Sequence, residues 1–135
     1  MTAGDRARVE TARVARLATV RPDGSPHLVA VTFALDGDTV VTAVDDKPKR
    51  TQDLQRLRNI DEHPAASLLV DHYEEDWARL WWVRLDGTAA LVRDEPRRTA
   101  LLGPLVAKYA HYRESPPAGP VIVLTVTATA SWQAS

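Results

Sequence analysis

His27-Leu28-Val29-Ala30-Val31-Thr32-Phe33-Ala34-Leu35 is apolar at both of its alternating sets of positions. A strand sends successive side chains to opposite faces, so this run must bury both. A small open antiparallel sheet shows one polar face. Two apolar faces predict a closed barrel, one face filling the interior and the other covered by a helix or a second subunit. Before this run, Val14 to Val20 reads as a strand, joined to it by Pro22-Asp23-Gly24-Ser25, where Pro presets φ and Gly accepts a positive φ. After it, Asp36-Gly37 is a hairpin signal, and Thr39 to Val44 reads as the third strand. Three strands joined by tight turns predict an antiparallel meander.

The pattern changes at Pro48. Leu54, Leu57 and Ile60 recur at helical spacing with Asp53, Arg56 and Arg58 between them, which predicts an amphipathic helix ended by Pro64. Ala66 to Val70 reads as a fourth strand. Trp77 to Val92 reads as a long strand with a bulge or bend at Asp86-Gly87. Pro96 to Tyr109 reads as a helix that Gly103-Pro104 should break or kink. Val121 to Ala130 alternates as a final strand, and Gly4 to Ala15 reads as a short first helix. The expectation is a mainly β chain with short helices (α+β): about six strands, mostly antiparallel, in one domain over residues 1–135.

Composition narrows the function classes. Lys plus Arg (17) nearly balances Asp plus Glu (18), for a net charge of −1. That argues against bulk electrostatic binding to nucleic acid or to an anionic membrane. There is no cysteine, which excludes disulfides and thiol catalysis and fits a reducing cytoplasm. No apolar run approaches the ~20 residues of a membrane span, and the polar N-terminus lacks a signal-peptide core. The four histidines, His27, His63, His72 and His111, show no metal-ligand spacing, so no metal site is expected. No Gly-x-Ser-x-Gly elbow and no Gly-rich phosphate loop is present. Reactivity is therefore expected from a bound organic cofactor, with no residue assigned a catalytic role.

Two segments carry the candidate site. Asp46-Lys47-Pro48-Lys49-Arg50-Thr51 places three cations and a hydroxyl where a helix begins. A helix N-terminus offers unpaired N–H groups and partial positive charge, so Lys47, Lys49, Arg50 and Thr51 are the candidate phosphate ligands; a solvated helix cap is the plainer alternative. In Trp77-Ala78-Arg79-Leu80-Trp81-Trp82-Val83-Arg84, three of the four tryptophans fall on one expected strand. They suit core and interface packing, or the wall of a planar-ring pocket with Arg79 or Arg84 against an anionic group.

The order of these segments resembles the split β-barrel flavin and deazaflavin oxidoreductases related to pyridoxamine 5'-phosphate oxidase. Val14-Ala15-Arg16-Leu17-Ala18-Thr19-Val20 with Pro22-Asp23-Gly24-Ser25-Pro26-His27 is similar to that family's first hairpin. Lys47-Pro48-Lys49-Arg50-Thr51-Gln52-Asp53-Leu54 resembles its phosphate-binding junction, and His63-Pro64-Ala65-Ala66-Ser67-Leu68-Leu69-Val70 its next strand. Asp71-His72-Tyr73 through Trp81-Trp82 to Ala89 looks like an actinobacterial subgroup that uses the deazaflavin coenzyme F420. The resemblance implies a six-stranded antiparallel split barrel of the FMN-binding type. It implies a homodimer with cofactor at the subunit interface, and hydride transfer between F420, or alternatively FMN, and a small organic substrate; a non-catalytic flavin- or deazaflavin-binding protein is the further alternative, and a cytoplasmic location is expected. It also implies that Lys49, Arg50 and Thr51 hold phosphate and that Val31 and Thr32 line the ring. Aromatic residues of the Tyr73 to Trp82 region, Trp77 and Trp82 among them, would close the pocket, with Tyr73 or a bound water left as proton donor.

Overall fold

The computed structural model describes residues 1–44 and 51–135, with the side chains of 51–54 excepted. Helix α1 (Ala3–Thr11) leads into strands β1 (Ala15–Val20), β2 (Pro26–Val31), β3 (Ala34–Asp36) and β4 (Thr39–Ala43). Helix α2 (Thr51–Glu62), β5 (Ala65–His72) and a 3₁₀ turn (Trp77–Arg79) follow. The chain ends with β6 (Trp81–Val92), α3 (Arg97–Lys108), α4 (Ala110–Glu114) and β7 (Val121–Gln133). The seven strands form one antiparallel sheet in the order β2-β1-β5-β6-β7-β4-β3.

The two edge strands of that sheet, β2 and β3, are separated in sequence only by Thr32 and Phe33. A strip whose two ends lie two residues apart must curl until its edges meet, so the sheet is a barrel split between β2 and β3. The long apolar run His27 to Leu35 is thus two strands, not one. Its first half pairs with β1 and its second with β4, so the expected three-strand meander does not form and the strand count is seven.

Alternation fills the barrel. Leu17, Val31, Leu68, Val70, Val83, Leu85, Ile122 and Leu124 point inward and are buried in one cluster, joined by Val9 of α1 and Ile60 of α2. Full burial of each large aliphatic side chain contributes roughly 1.5–3 kcal/mol. A second cluster lies outside the barrel, where Leu102 and Leu105 of α3 cover Val41, Ala43, Val121 and Val123 of β4 and β7. Those strands read as apolar on both faces because both faces are covered.

Turn chemistry matches the expectation. Gly24 and Gly37 take φ of 89° and 62°, values that favour glycine. The register of β6 against β7 shifts at Asp86/Gly87, the expected bulge. Elsewhere the helix and strand ends move. The strand expected from Trp77 starts only at Trp81, because the Asp76 carboxylate caps a 3₁₀ turn by accepting from Ala78 N at 3.2 Å. Helix α3 runs through Gly103-Pro104 without the expected break. Strand β7 continues past Ala130 to Gln133, paired with Trp81. Among the described residues no helix is long and apolar enough to cross a membrane.

Candidate functional site

The pairing register aligns Ala30, Arg16, Leu69, Arg84 and Ala130 in one row across five neighbouring strands. Alternation turns this row away from the filled interior, onto the outer face of β2, β1, β5, β6 and the end of β7. The adjoining row holds Asp71, Trp82 and Trp132. Among the described residues no helix covers this part of the sheet as α3 covers β4 and β7. Leu28 is 67% exposed and Trp132 43% exposed on it. Leu69, Asp71, Tyr73, Trp82 and Arg84 line a concavity of about 390 Å³ here.

Charge in the concavity is fixed by short-range pairs. Arg16 Nη1 lies 3.4 Å from Asp71 Oδ1. Arg84 Nε lies 3.0 and 3.1 Å from the two oxygens of Asp86, which also accepts from Ser67 Oγ at 2.7 Å. At the rim, Glu74 accepts from His72 Nε2 and lies 3.3 Å from Arg79; the His72 hydrogen bond, then the Arg79 charge, holds its carboxyl below the usual range. The result is a hollow walled by Tyr73 and Trp82 with Arg84 and Asp71 as its charged lining, suited to a planar ring with an anionic group at the Arg84 end.

The expected site residues separate on this fold. Lys47, Lys49 and Arg50 lie outside the described residues; Thr51 is the first residue of α2. Trp82 lines the concavity. Trp81, its neighbour, faces the other way, packs against the barrel core and stacks on His72. Trp77 sits on the 3₁₀ turn, 74% exposed, and does not line the concavity. The side chain of Val31 is buried in the barrel, so it offers no lining surface. Thr32 stands at the split, its hydroxyl 2.7 Å from Tyr112 Oη. Leu69, Asp71 and Arg16 are the site residues that sequence reading did not single out; only strand register brings them beside Trp82.

Helix α2, which starts next to the basic run, is anchored by buried polar contacts. Asn59 Nδ2 donates to Thr19 Oγ1 at 3.0 Å, and Gln55 Nε2 donates to Asn59 Oδ1 at 2.7 Å. His27, opposite Thr19 in register, is buried beside them, and burial, with the charges of Arg21 and Arg56, holds its imidazole below its ordinary pKa.

A sheet rolled so that its edges meet at Thr32–Phe33, with this uncovered outer face, has relatives. Residues 1–134 match the family described as pyridoxamine 5'-phosphate oxidase. The chain belongs to the pyridoxamine 5'-phosphate oxidase family. Solved structures repeat this family's fold. A conserved hypothetical protein of Mycobacterium tuberculosis is 20% identical with a TM-score of 0.75, over 98% of this chain and 84% of that one. An FAD-binding protein of Mesorhizobium loti is 16% identical with a TM-score of 0.76, over 100% and 96%. A heme binding protein of Mycobacterium smegmatis is 24% identical with a TM-score of 0.70; it matches 98% of this chain, which spans 58% of that protein. No curated protein matches the sequence.

Proposed function

We propose that this member of the pyridoxamine 5'-phosphate oxidase family is a cytoplasmic oxidoreductase that passes a hydride between F420 and a small organic substrate. It works as a homodimer with its cofactor sites at the subunit interface. The observation that carries this reading is the uncovered concavity of Leu69, Asp71, Tyr73, Trp82 and Arg84 on the outer face of the split barrel. Its indole and phenol walls suit a planar ring system, and Arg84 suits an anionic group at the ring's edge. Leu28 and Trp132 on the same face suit burial against a second copy of the chain.

The reduced deazaflavin supplies the hydride when bound. The chain's own work is binding and orientation. Lys47, Lys49, Arg50 and Thr51 hold the phosphodiester tail, Trp82 sets the plane of the ring, and the partner subunit excludes water. Tyr73, 64% exposed at the rim, is the candidate proton donor. FMN is the alternative cofactor, favoured by the FAD-binding protein of Mesorhizobium loti, whose fold matches over the whole of this chain.

Titration with F420 and with FMN, read by absorbance and tryptophan emission, tests this reading. F420 should bind and quench emission. Lys49→Ala and Arg50→Ala should each weaken either cofactor about ten- to a hundredfold, the value of one hydrogen bond to a charged group. Binding of FMN alone would move the assignment to the flavin. Failure of both cofactors to bind would leave the fold without this function.

A further inference from the structure

A second cavity, of about 400 Å³, lies between α1 and α3 over β3. Arg6, Glu10, Ala34, Leu35, Ala107 and Lys108 line it, together with Pro104, and it shares no residue with the Tyr73–Trp82 concavity. Its volume falls within the range of small-ligand sites. About half of its wall is apolar, from Ala34, Leu35, Pro104 and Ala107, and its charges are unevenly satisfied. Arg6 takes the charge of Glu10 at 2.8 Å and also donates to Gly37 O at 3.1 Å. The Lys108 amine is enclosed and has no hydrogen-bond partner among the described residues. It lies 3.8 Å from the centroid of the Phe33 ring and 5.3 Å from that of Tyr109.

A second cation presses on it. The Arg13 guanidinium lies 5.3 Å over the Tyr109 ring and donates to Lys108 O at 3.2 Å. Among the described residues no carboxylate lies within 4.0 Å of Lys108 Nζ or of the Arg13 guanidinium. An ammonium carries three donors, and enclosing one without a partner is costly. The Phe33 and Tyr109 rings offset part of that cost but accept no conventional hydrogen bond. Among the described residues, the two cations around this phenol ring, beside a half-apolar hollow, lack an anion.

We propose that this cavity binds an amphipathic carboxylate, its apolar tail against Ala34, Leu35 and Ala107 and its carboxylate at the Lys108 end, where the amine swings out from the Phe33 ring to meet it. A phosphate dianion is a poorer match, because Arg6 is already engaged and the remaining wall offers few donors. The proposal does not depend on the cofactor assignment, since the two hollows are separate.

Octanoate is the probe. In calorimetric titration at millimolar concentration it should bind the wild-type protein. Lys108→Met keeps an unbranched side chain and removes the enclosed charge, so it should fold and should weaken octanoate about ten- to a hundredfold. Ala107→Trp, at an exposed wall position, should fill the cavity and block octanoate with the amine still in place. Bound octanoate should also move the deprotonation of Lys108, followed by NMR, to higher pH. Octanoate that does not bind, or that binds both variants as tightly as wild type, overturns the proposal. Inorganic phosphate that binds the cavity in preference to octanoate overturns the carboxylate assignment.

Discussion

The hydroxyl of Tyr109 bonds both backbone groups of Phe33. It accepts from Phe33 N at 3.2 Å and lies 3.0 Å from Phe33 O, with Arg13 O also within reach at 3.1 Å. Phe33 sits where the chain leaves β2 and enters β3, so its backbone has no ladder partner on the split side. One phenol supplies the donor and acceptor that a neighbouring strand would have supplied. Tyr112 does the same for the Thr32 side chain at 2.7 Å. Tyr109→Phe should therefore destabilise the fold by roughly 1–3 kcal/mol, the cost of a buried backbone group left unpaired. Tyr112→Phe should cost less, since the Thr32 hydroxyl can turn to water. Urea unfolding of the two variants checks the order, and equal stability for Tyr109→Phe and wild type would show that the split needs no such staple.

Local chemistry announces much of this fold. The turns at Gly24 and Gly37, the bulge at Asp86-Gly87 and the existence of α2 and α3 all rest on short-range signals. The break at Thr32–Phe33 has no such signal. Thr and Phe both suit a strand, and the strand ends there because the barrel closes, a condition set by β4 and β7. The same holds for the site. Alternation alone puts Trp81 with Val83 and Trp82 with Arg84 on opposite faces, but that the Trp82 face is the hollow follows from its pairing with Asp71 of β5. Arg16 joins them only through its register with Leu69.

Gly87 fills a position that no other residue can. A Cβ built there would lie 1.9 Å from Thr125 O and 2.8 Å from Thr125 C. Both are backbone atoms of the paired strand, so no side chain can swing away. Gly87→Ala must open the β6–β7 pairing at the bulge, a cost of about 3 kcal/mol or more. Gly103→Ala, with open space around it on the surface of α3, should instead be neutral or slightly stabilising. Thermal unfolding of the pair checks this, and similar melting temperatures would contradict the close approach.

Stability should depend on pH at two buried bases. Burial, then Arg21 and Arg56, holds His27 below its ordinary 6.5. As the pH falls through 6.5 the unfolded chain takes up a proton before the folded chain does, so stability drops on the acid side. Burial and the Arg13 charge lower the Lys108 amine from 10.5 to about 8, with Glu10 opposing. Between those values the unfolded chain binds more protons than the folded one, so stability rises with pH there. The rise is readable from pH 8 up to about 10, where tyrosines of the unfolded chain begin to ionise. Urea midpoints should climb across that window in the wild type and stay flat in Lys108→Met. A parallel climb in the variant would place the titration elsewhere.

The outer face supplies the last expectation. Leu28, 67% exposed, lies beside the row of Arg16, Leu69 and Arg84, and Trp132 lies beyond it on the same face. If this face joins two copies of the chain, the interface must exclude water from these side chains, and obligate dimer interfaces commonly bury more than about 2,000 Å² in total. Leu28→Lys places a charge at that contact. Because Leu28 is exposed in the single chain, the substitution should leave protomer stability within about 0.5 kcal/mol. It should nevertheless shift sedimentation from dimer to monomer. Cofactor affinity should fall in step, because a hollow walled by only Tyr73 and Trp82 of one chain cannot enclose both faces of a planar ring. A wild-type protein that sediments as a monomer would remove the interface. A Leu28→Lys monomer that binds F420 as tightly as wild type would place the whole cofactor site within one chain.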